Sequence, residues 1–360
     1  EASDHSVWRL SIALRDDLDA VTFTPIGSNV RMRWDESLLV NYTDSIVVLH
    51  RGHIVYERYF GISNERTRHL AFSVTKSFIG LLAEGLIAEG RLDPASRVSR
   101  YIPELAASGF GDATVRQVMD MTTGLGFEED YTDSSSDIAA LALALGGPSR
   151  PADYADPKDV YAYLSTIDKK GEHGARFTYR SINSEVLGWI IARADDKPLE
   201  QVLEARIWQP LGMESDADIM IDPAGKPFAA GGLNLTLRDL ARFGEAVRLG
   251  GKIGDRQAIP AIAIESIRRG AKKEDFARAE YGLLPGWSYR SQWWITHDTH
   301  RSFMARGVNG QAIYVDPVAE MVIARFASHP IAANSALDPT SLPAYRALAS
   351  ALSEHDISDK

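Results

Sequence analysis

No cysteine occurs in the 360 residues. That excludes a disulfide scaffold, a thiol nucleophile and zinc–thiolate coordination together. It says little about compartment, because a core of this size needs no cross-links. A basic surplus is also missing: 39 Lys and Arg stand against 49 Asp and Glu, a formal charge of −10. Such a chain lacks the cations that displace phosphate counterions, so no nucleic-acid partner is expected. It carries no polybasic anchor and no run near the ~18 apolar residues of a membrane helix, so no membrane partner is expected either. No glycine-rich nucleotide fingerprint follows a strand pattern, and neither Gly-x-Ser-x-Gly nor His-Glu-x-x-His occurs. His50 and His53 are close, but strand alternation is expected to put their side chains on opposite faces. His297, Asp298 and His300 read as a solvated loop. Neither a metal nor a cofactor is expected.

What is present is a globular composition, 45% hydrophobic and 24% charged, with enough apolar side chains for a large core. The length allows two ordinary domains or one large domain with an insertion. The chain begins at Glu1 and not Met, which reads as a trimmed or processed end. The location leans to cytoplasmic with export left open, and the oligomeric state is not readable.

Residues 45–50 and 54–60 are rich in β-branched and aromatic side chains around Arg51-Gly52, the pattern of a hairpin. From 74 to 88 the spacing turns helical, and Gly90 with Pro94 stops it. Helical patterns fill the middle at 135–145, 159–167, 184–194 and 199–208. Thr114 and Thr236 look like N-caps of further helices. Strand patterns return at 289–296, 302–306, 311–315 and 321–326, and 342–353 reads as a last helix. Strands at both ends with helices between them predict an α+β fold. An antiparallel sheet flanked by helices is expected from residues 1–95 and 210–360, with a mostly helical region, 96–209, inserted and the active site between them.

Ser73-Val-Thr-Lys76, the lone Ser-x-x-Lys, opens the first strong helix. Spacing i, i+3 puts both side chains on one face. A serine hydroxyl is a poor nucleophile until a base takes its proton, and a lysine whose pKa is lowered by burial can be that base. The apolar flanks, residues 70–72 and 78–82, favour a buried interface. The alternative is an N-cap serine beside a surface lysine. Phe177-Thr-Tyr179-Arg-Ser181 precedes another helix, and Arg306-Gly-Val-Asn-Gly310 reads as a strand followed by a tight turn.

These elements carry a resemblance. From residue 44 to 328 the chain resembles the serine β-lactamase and penicillin-binding-protein superfamily on its class C and esterase side. Within it, the chain is most similar to the 6-aminohexanoate-dimer hydrolases, which cut linear nylon oligomers. The likeness rests on the Ser73–Lys76 stretch, Val115-Arg-Gln-Val-Met-Asp-Met121, Glu129-Asp-Tyr131, Tyr179-Arg-Ser181, Ala230-Gly-Gly232, the Thr236–Arg242 stretch and Gln292-Trp-Trp294. It implies a β-lactamase/transpeptidase-like fold with Ser73 as acylated nucleophile, Lys76 as its proton acceptor and Tyr179 as the phenol that relays a proton, its pKa lowered by the ammonium. It implies an oxyanion hole from the backbone N–H groups of Ser73 and Val308, with Gly307 allowing close approach. Tyr131, Ser181, Trp293 and Trp294 would contact the substrate. Three departures stand out. The Lys-Thr-Gly of β-lactamases reads Ala305-Arg306-Gly307, Ala142 occupies the place of an Asp that holds a substrate amino end, and the position before Gly231 is Ala230. The expectation is a cofactor-free serine hydrolase acting on a small amide or ester through an acyl-enzyme. A β-lactamase or D-amino-acid-type peptidase is the runner-up, and a sensor without turnover is the non-enzyme alternative.

Overall fold

The computed structural model describes residues 6–147, 150–151, 153–154, 157–279 and 281–358. An eight-stranded sheet organises them. Its strands are β1 (Ser11–Ile12), β2 (Thr43–His50), β3 (His53–Tyr59), β7 (Ser288–Arg290), β8 (Trp293–Ile295), β9 (Phe303–Arg306), β10 (Ala312–Asp316) and β11 (Met321–Ala327), in the order β1-β3-β2-β11-β10-β9-β8-β7. All neighbours are antiparallel except β1 and β3. A second sheet of three short strands, β4 (Arg68–Leu70), β5 (Asp218–Ile219) and β6 (Leu233–Thr236), runs in the order β4-β6-β5.

The central strand explains the layering. Residues 45–49 of β2 are buried on both faces, which is why that stretch reads as a continuous apolar run. Val47 and Leu49 face one core with Phe78 of helix α1 (Thr75–Ala88) and Phe243 of α3 (Leu237–Arg248). Ile46 and Val48 face the other, with Trp34 and with Tyr345 and Leu348 of α4 (Asp338–Ser358). Helix α2 (Ile182–Asp195) packs on α1. Every residue of α1 from Thr75 to Leu86 is buried, so it is a core helix and not an amphipathic surface one.

The Thr114 capping box forms in full: its hydroxyl accepts from Gln117 N–H, and Gln117 reaches back to Thr114 N–H. Thr236 caps α3 by accepting from Asp239 N–H.

Two expectations need correction. The stretch 289–296 is not one strand. It is the hairpin β7–β8, turned by Ser291 and Gln292 at φ of 49° and 67°. Consecutive left-handed residues make the tight turn that suits a hairpin, but Gly and Asn usually supply it. Here tertiary bonds hold it instead. Asp120 accepts from Ser291 N–H at 2.9 Å, and Gln292 joins three segments: its carbonyl accepts from Ser77, its amide oxygen from Ser184, and its amide nitrogen donates to Met119 O. Gly80 makes room, since a Cβ there would lie 1.9 Å from Ser291 O. The second correction concerns His50 and His53, which are direct cross-strand partners in the β2–β3 hairpin and therefore share a face. The two-residue turn between them cancels the alternation along a single strand. His53 Nδ1 lies 2.8 Å from Ser11 Oγ.

Candidate active site

Ser73 sits in a single 3₁₀ turn, Phe72–Val74, that leads into α1. The N-cap of α1 is Val74, so Ser73 does not cap the helix. Phe72 holds φ of 45°, an unfavourable value for a bulky residue. The turn is tied to the small sheet, where Ala71 N–H donates to Leu233 O at 2.8 Å. Strain at the residue preceding a reactive side chain is a usual site feature.

Lys76 is 2% exposed. Its Nζ donates to Ser73 Oγ at 2.8 Å and to Ala230 O at 2.7 Å, and it lies 5.2 Å from the centre of the Tyr179 ring. Burial lowers the amine to about 8, against the upward pull of Glu129 and Glu185. An amine poised there can take the serine proton near neutrality.

Tyr179 lines the cleft beside Lys76, and its ionisation runs opposite to the expectation. Burial and then Glu129 push its phenol well up, and the nearby Ser73 offsets this only in part. The ammonium was expected to lower it, but Lys76 is itself easily deprotonated and the negative charge of Glu129 lies close. The phenol therefore stays protonated and can act as a donor.

Gly307 follows β9 with an extended backbone. A Cβ there would come within 2.9 Å of Ala71 O and 3.2 Å of Ser73 N, so the strand end approaches the serine as only glycine allows. Among the described residues neither the Ser73 nor the Val308 N–H donates to a protein acceptor. Val308 and Ser73 both line a cleft of about 550 Å³.

Tyr131, Tyr179 and Trp294 also line it, with Tyr281 and Glu129. Trp293 does not. Adjacent strand residues point to opposite faces, and Trp293 is wholly buried with its indole donating to Ser77 O at 3.1 Å behind α1. Ser181 stands behind the wall: its N–H and hydroxyl donate to Glu129 at 2.6 and 2.8 Å. Tyr131, half exposed, donates to the same carboxylate at 2.6 Å, and burial of its hydroxyl end with Glu129 raises its pKa. A Ser–His contact also occurs elsewhere, Ser288 Oγ to His297 Nε2 at 2.7 Å. Ser288 is fully buried and accepts from Ala271 N–H, so that pair is structural.

Sequence reasoning missed Glu185, Tyr281 and Asp338. Glu185 is 1% exposed and accepts from the N–H groups of Ala229 and Ala230, the latter being the residue whose carbonyl holds Lys76. Burial raises its carboxyl. The available signal was a carboxylate in the apolar stripe Ile182, Val186 and Trp189. Asp338 pairs with Arg306 across the cleft wall. Nothing in their spacing shows this.

Comparisons with known proteins bear on the family and the fold. The beta-lactamase family profile matches residues 40–341. The chain is 34% identical over 289 residues to the 6-aminohexanoate-dimer hydrolase of Paenarthrobacter ureafaciens, covering 80% of this chain and 73% of that one. It is 27% identical over 189 residues to esterase EstB of Burkholderia gladioli, covering 49% and 47%. A solved Bacillus anthracis structure, provisionally named a 6-aminohexanoate-dimer hydrolase, superposes with a TM-score of 0.87 at 33% identity, covering 97% of this chain and 89% of that one.

Proposed function

The chain belongs to the beta-lactamase family and is a serine hydrolase, and from that premise we propose that it cleaves small amides or esters through an acyl-enzyme on Ser73. The contact of Lys76 Nζ with Ser73 Oγ at 2.8 Å carries the proposal. Neutral Lys76 takes the hydroxyl proton as Ser73 Oγ attacks the acyl carbon. The N–H groups of Ser73 and Val308 receive the oxyanion. Tyr179, protonated and lining the cleft with Ser73, passes a proton to the leaving oxygen or nitrogen and is refilled from Lys76. Water then repeats the sequence on the ester. The name of the Paenarthrobacter relative supports a linear amide as substrate, and that of the Burkholderia relative supports esters.

The test is direct. A fluorophosphonate adduct, located by peptide mass spectrometry, is expected on Ser73 and absent from Ser73→Ala. The chain is expected to turn over p-nitrophenyl butyrate and 6-aminohexanoate dimer in preference to nitrocefin. An adduct on another residue, or one that persists in the alanine variant, defeats the assignment.

A further inference from the structure

Arg306 ends β9 one residue before Gly307 and lines the cleft, yet it is only 6% exposed. Its guanidinium lies over Trp294 and Trp287, 5.1 and 5.8 Å from the ring centres. Its terminal nitrogen donates to Oδ1 of Asp338, which is 5% exposed and lines the same cleft. Asp338 is the first residue of α4, where the helix field favours a negative charge.

An arginine in a cleft wall is ordinarily a receptor for a ligand carboxylate. This one is already occupied by a carboxylate of its own chain. An anionic ligand group reaching Arg306 would meet Asp338 at close range in a poorly hydrated wall, where like charges repel strongly. The other acidic group facing the cleft, Glu129, is held by Tyr131 and Ser181, which are neutral donors, so its negative charge is not cancelled by them. Lys76 lies beneath the cleft and engages Ser73 and Ala230.

We infer that the Arg306–Asp338 pair is a charge filter that excludes acyl chains bearing a carboxylate, with Asp338 blocking a carboxylate receptor that is otherwise complete. The inference rests on the hydrolase reading above and names the substrate class for it.

The experiment compares p-nitrophenyl hexanoate with mono-p-nitrophenyl adipate, which differ only in a terminal methyl against a carboxylate. The intact protein is expected to favour the hexanoate in kcat/KM by roughly tenfold or more. Asp338→Asn keeps an oxygen for the guanidinium and removes the charge, and the preference is expected to fall by about the same factor. Should that variant fail to fold, Asp338→Ala offers the same release with less crowding. Binding is read apart from turnover by thermal shift. Adipamate is expected to stabilise the aspartate variants and not the parent, while hexanamide treats both alike. An intact protein that takes the adipate ester as readily as the hexanoate overturns the filter. So does a folded variant whose preference and thermal shifts are unchanged. Absence of turnover and of a Ser73 adduct defeats the hydrolase reading, and the thermal shifts still decide the filter.

Discussion

Lys76 and Glu185 close on the same stretch of backbone from opposite sides. The ammonium donates to Ala230 O at 2.7 Å, and the Ala229 and Ala230 N–H groups donate to the carboxylate at 3.2 and 2.7 Å. A buried amine and a buried carboxyl are thus joined through peptide groups that bond both, and burial brings each of them to about 8. Glu185 raises the lysine pKa while burial lowers it.

Replacing Glu185 by Gln removes one upward pull, so the lysine pKa is expected to fall further. The limb of kcat/KM that depends on neutral Lys76 moves to lower pH, by ~0.5 unit. The maximal rate drops as well, because an amide offers one acceptor oxygen where two N–H groups now donate. A pH–rate profile on a single ester measures both. An unmoved limb means that Glu185 is uncoupled from the proton acceptor.

For the parent protein the sign is fixed by the depressed value of about 8. Below it the amine is protonated and cannot accept, so activity is expected to rise with pH through that point. Lys76→Arg is expected to be inactive throughout, since a guanidinium does not deprotonate. The same shift has a stability consequence. The unfolded lysine holds its proton to a higher pH than the folded one, so this group's unfavourable contribution is full below the folded value and is relieved as pH rises from there toward the unfolded value. Denaturant melts at pH 7 and pH 10, compared between parent and Lys76→Met, isolate that contribution.

Tyr131 lines the cleft and directs its O–H to Glu129, so its phenol oxygen has lone pairs left to accept from a substrate N–H. Amides carry that N–H and esters do not. Tyr131→Phe is expected to lower kcat on an amide by on the order of 10–100-fold while an ester of the same acyl group is little affected. Equal losses on both substrates would reduce Tyr131 to a shaping role.

Gly307→Ala tests the close approach of strand and serine. The new methyl meets Ala71 O and Ser73 N, both backbone atoms that cannot swing away. A stability loss of about 1–3 kcal/mol is expected from the overpacking. Turnover is expected to fall by roughly 100-fold or more if the Ser73 N–H receives the oxyanion. Melting temperature and single-turnover rate separate the two effects. Full activity in a destabilised variant would remove that N–H from the oxyanion hole.

Much of this architecture was legible because local chemistry and tertiary need coincide. The β2 and β11 stretches are apolar because both faces of the sheet are covered, and the Thr114 box forms with its sequence neighbour alone. The Ser73–Lys76 contact follows from helix periodicity. The hairpin at Ser291–Gln292 was not legible, because its left-handed backbone is held by Asp120, Ser77 and Ser184 and not by its own sequence. The Tyr179 pKa was misjudged because a nearby cation was considered without the burial and the Glu129 charge that outweigh it. Trp293 was assigned to the cleft with Trp294 although a strand cannot turn both toward one side. Arg306 and Asp338 stand far apart in the chain, and no periodicity connects them.

The pairing of β2 with β11 joins Thr43–His50 to Met321–Ala327, so the middle of the sheet is closed by segments made early and late in synthesis. A nascent chain carries Ser73 and Lys76 well before the strand and turn that bring Val308 beside them. Until the last strands emerge, the serine has no cleft and β2 has an open edge. The protein is therefore expected to be inert on the ribosome and to acquire reactivity in a single late step, when the distant ends meet. The same topology suits division into two silent fragments whose reunion restores hydrolysis, a reporter in which signal requires the whole sheet and not the nucleophile alone.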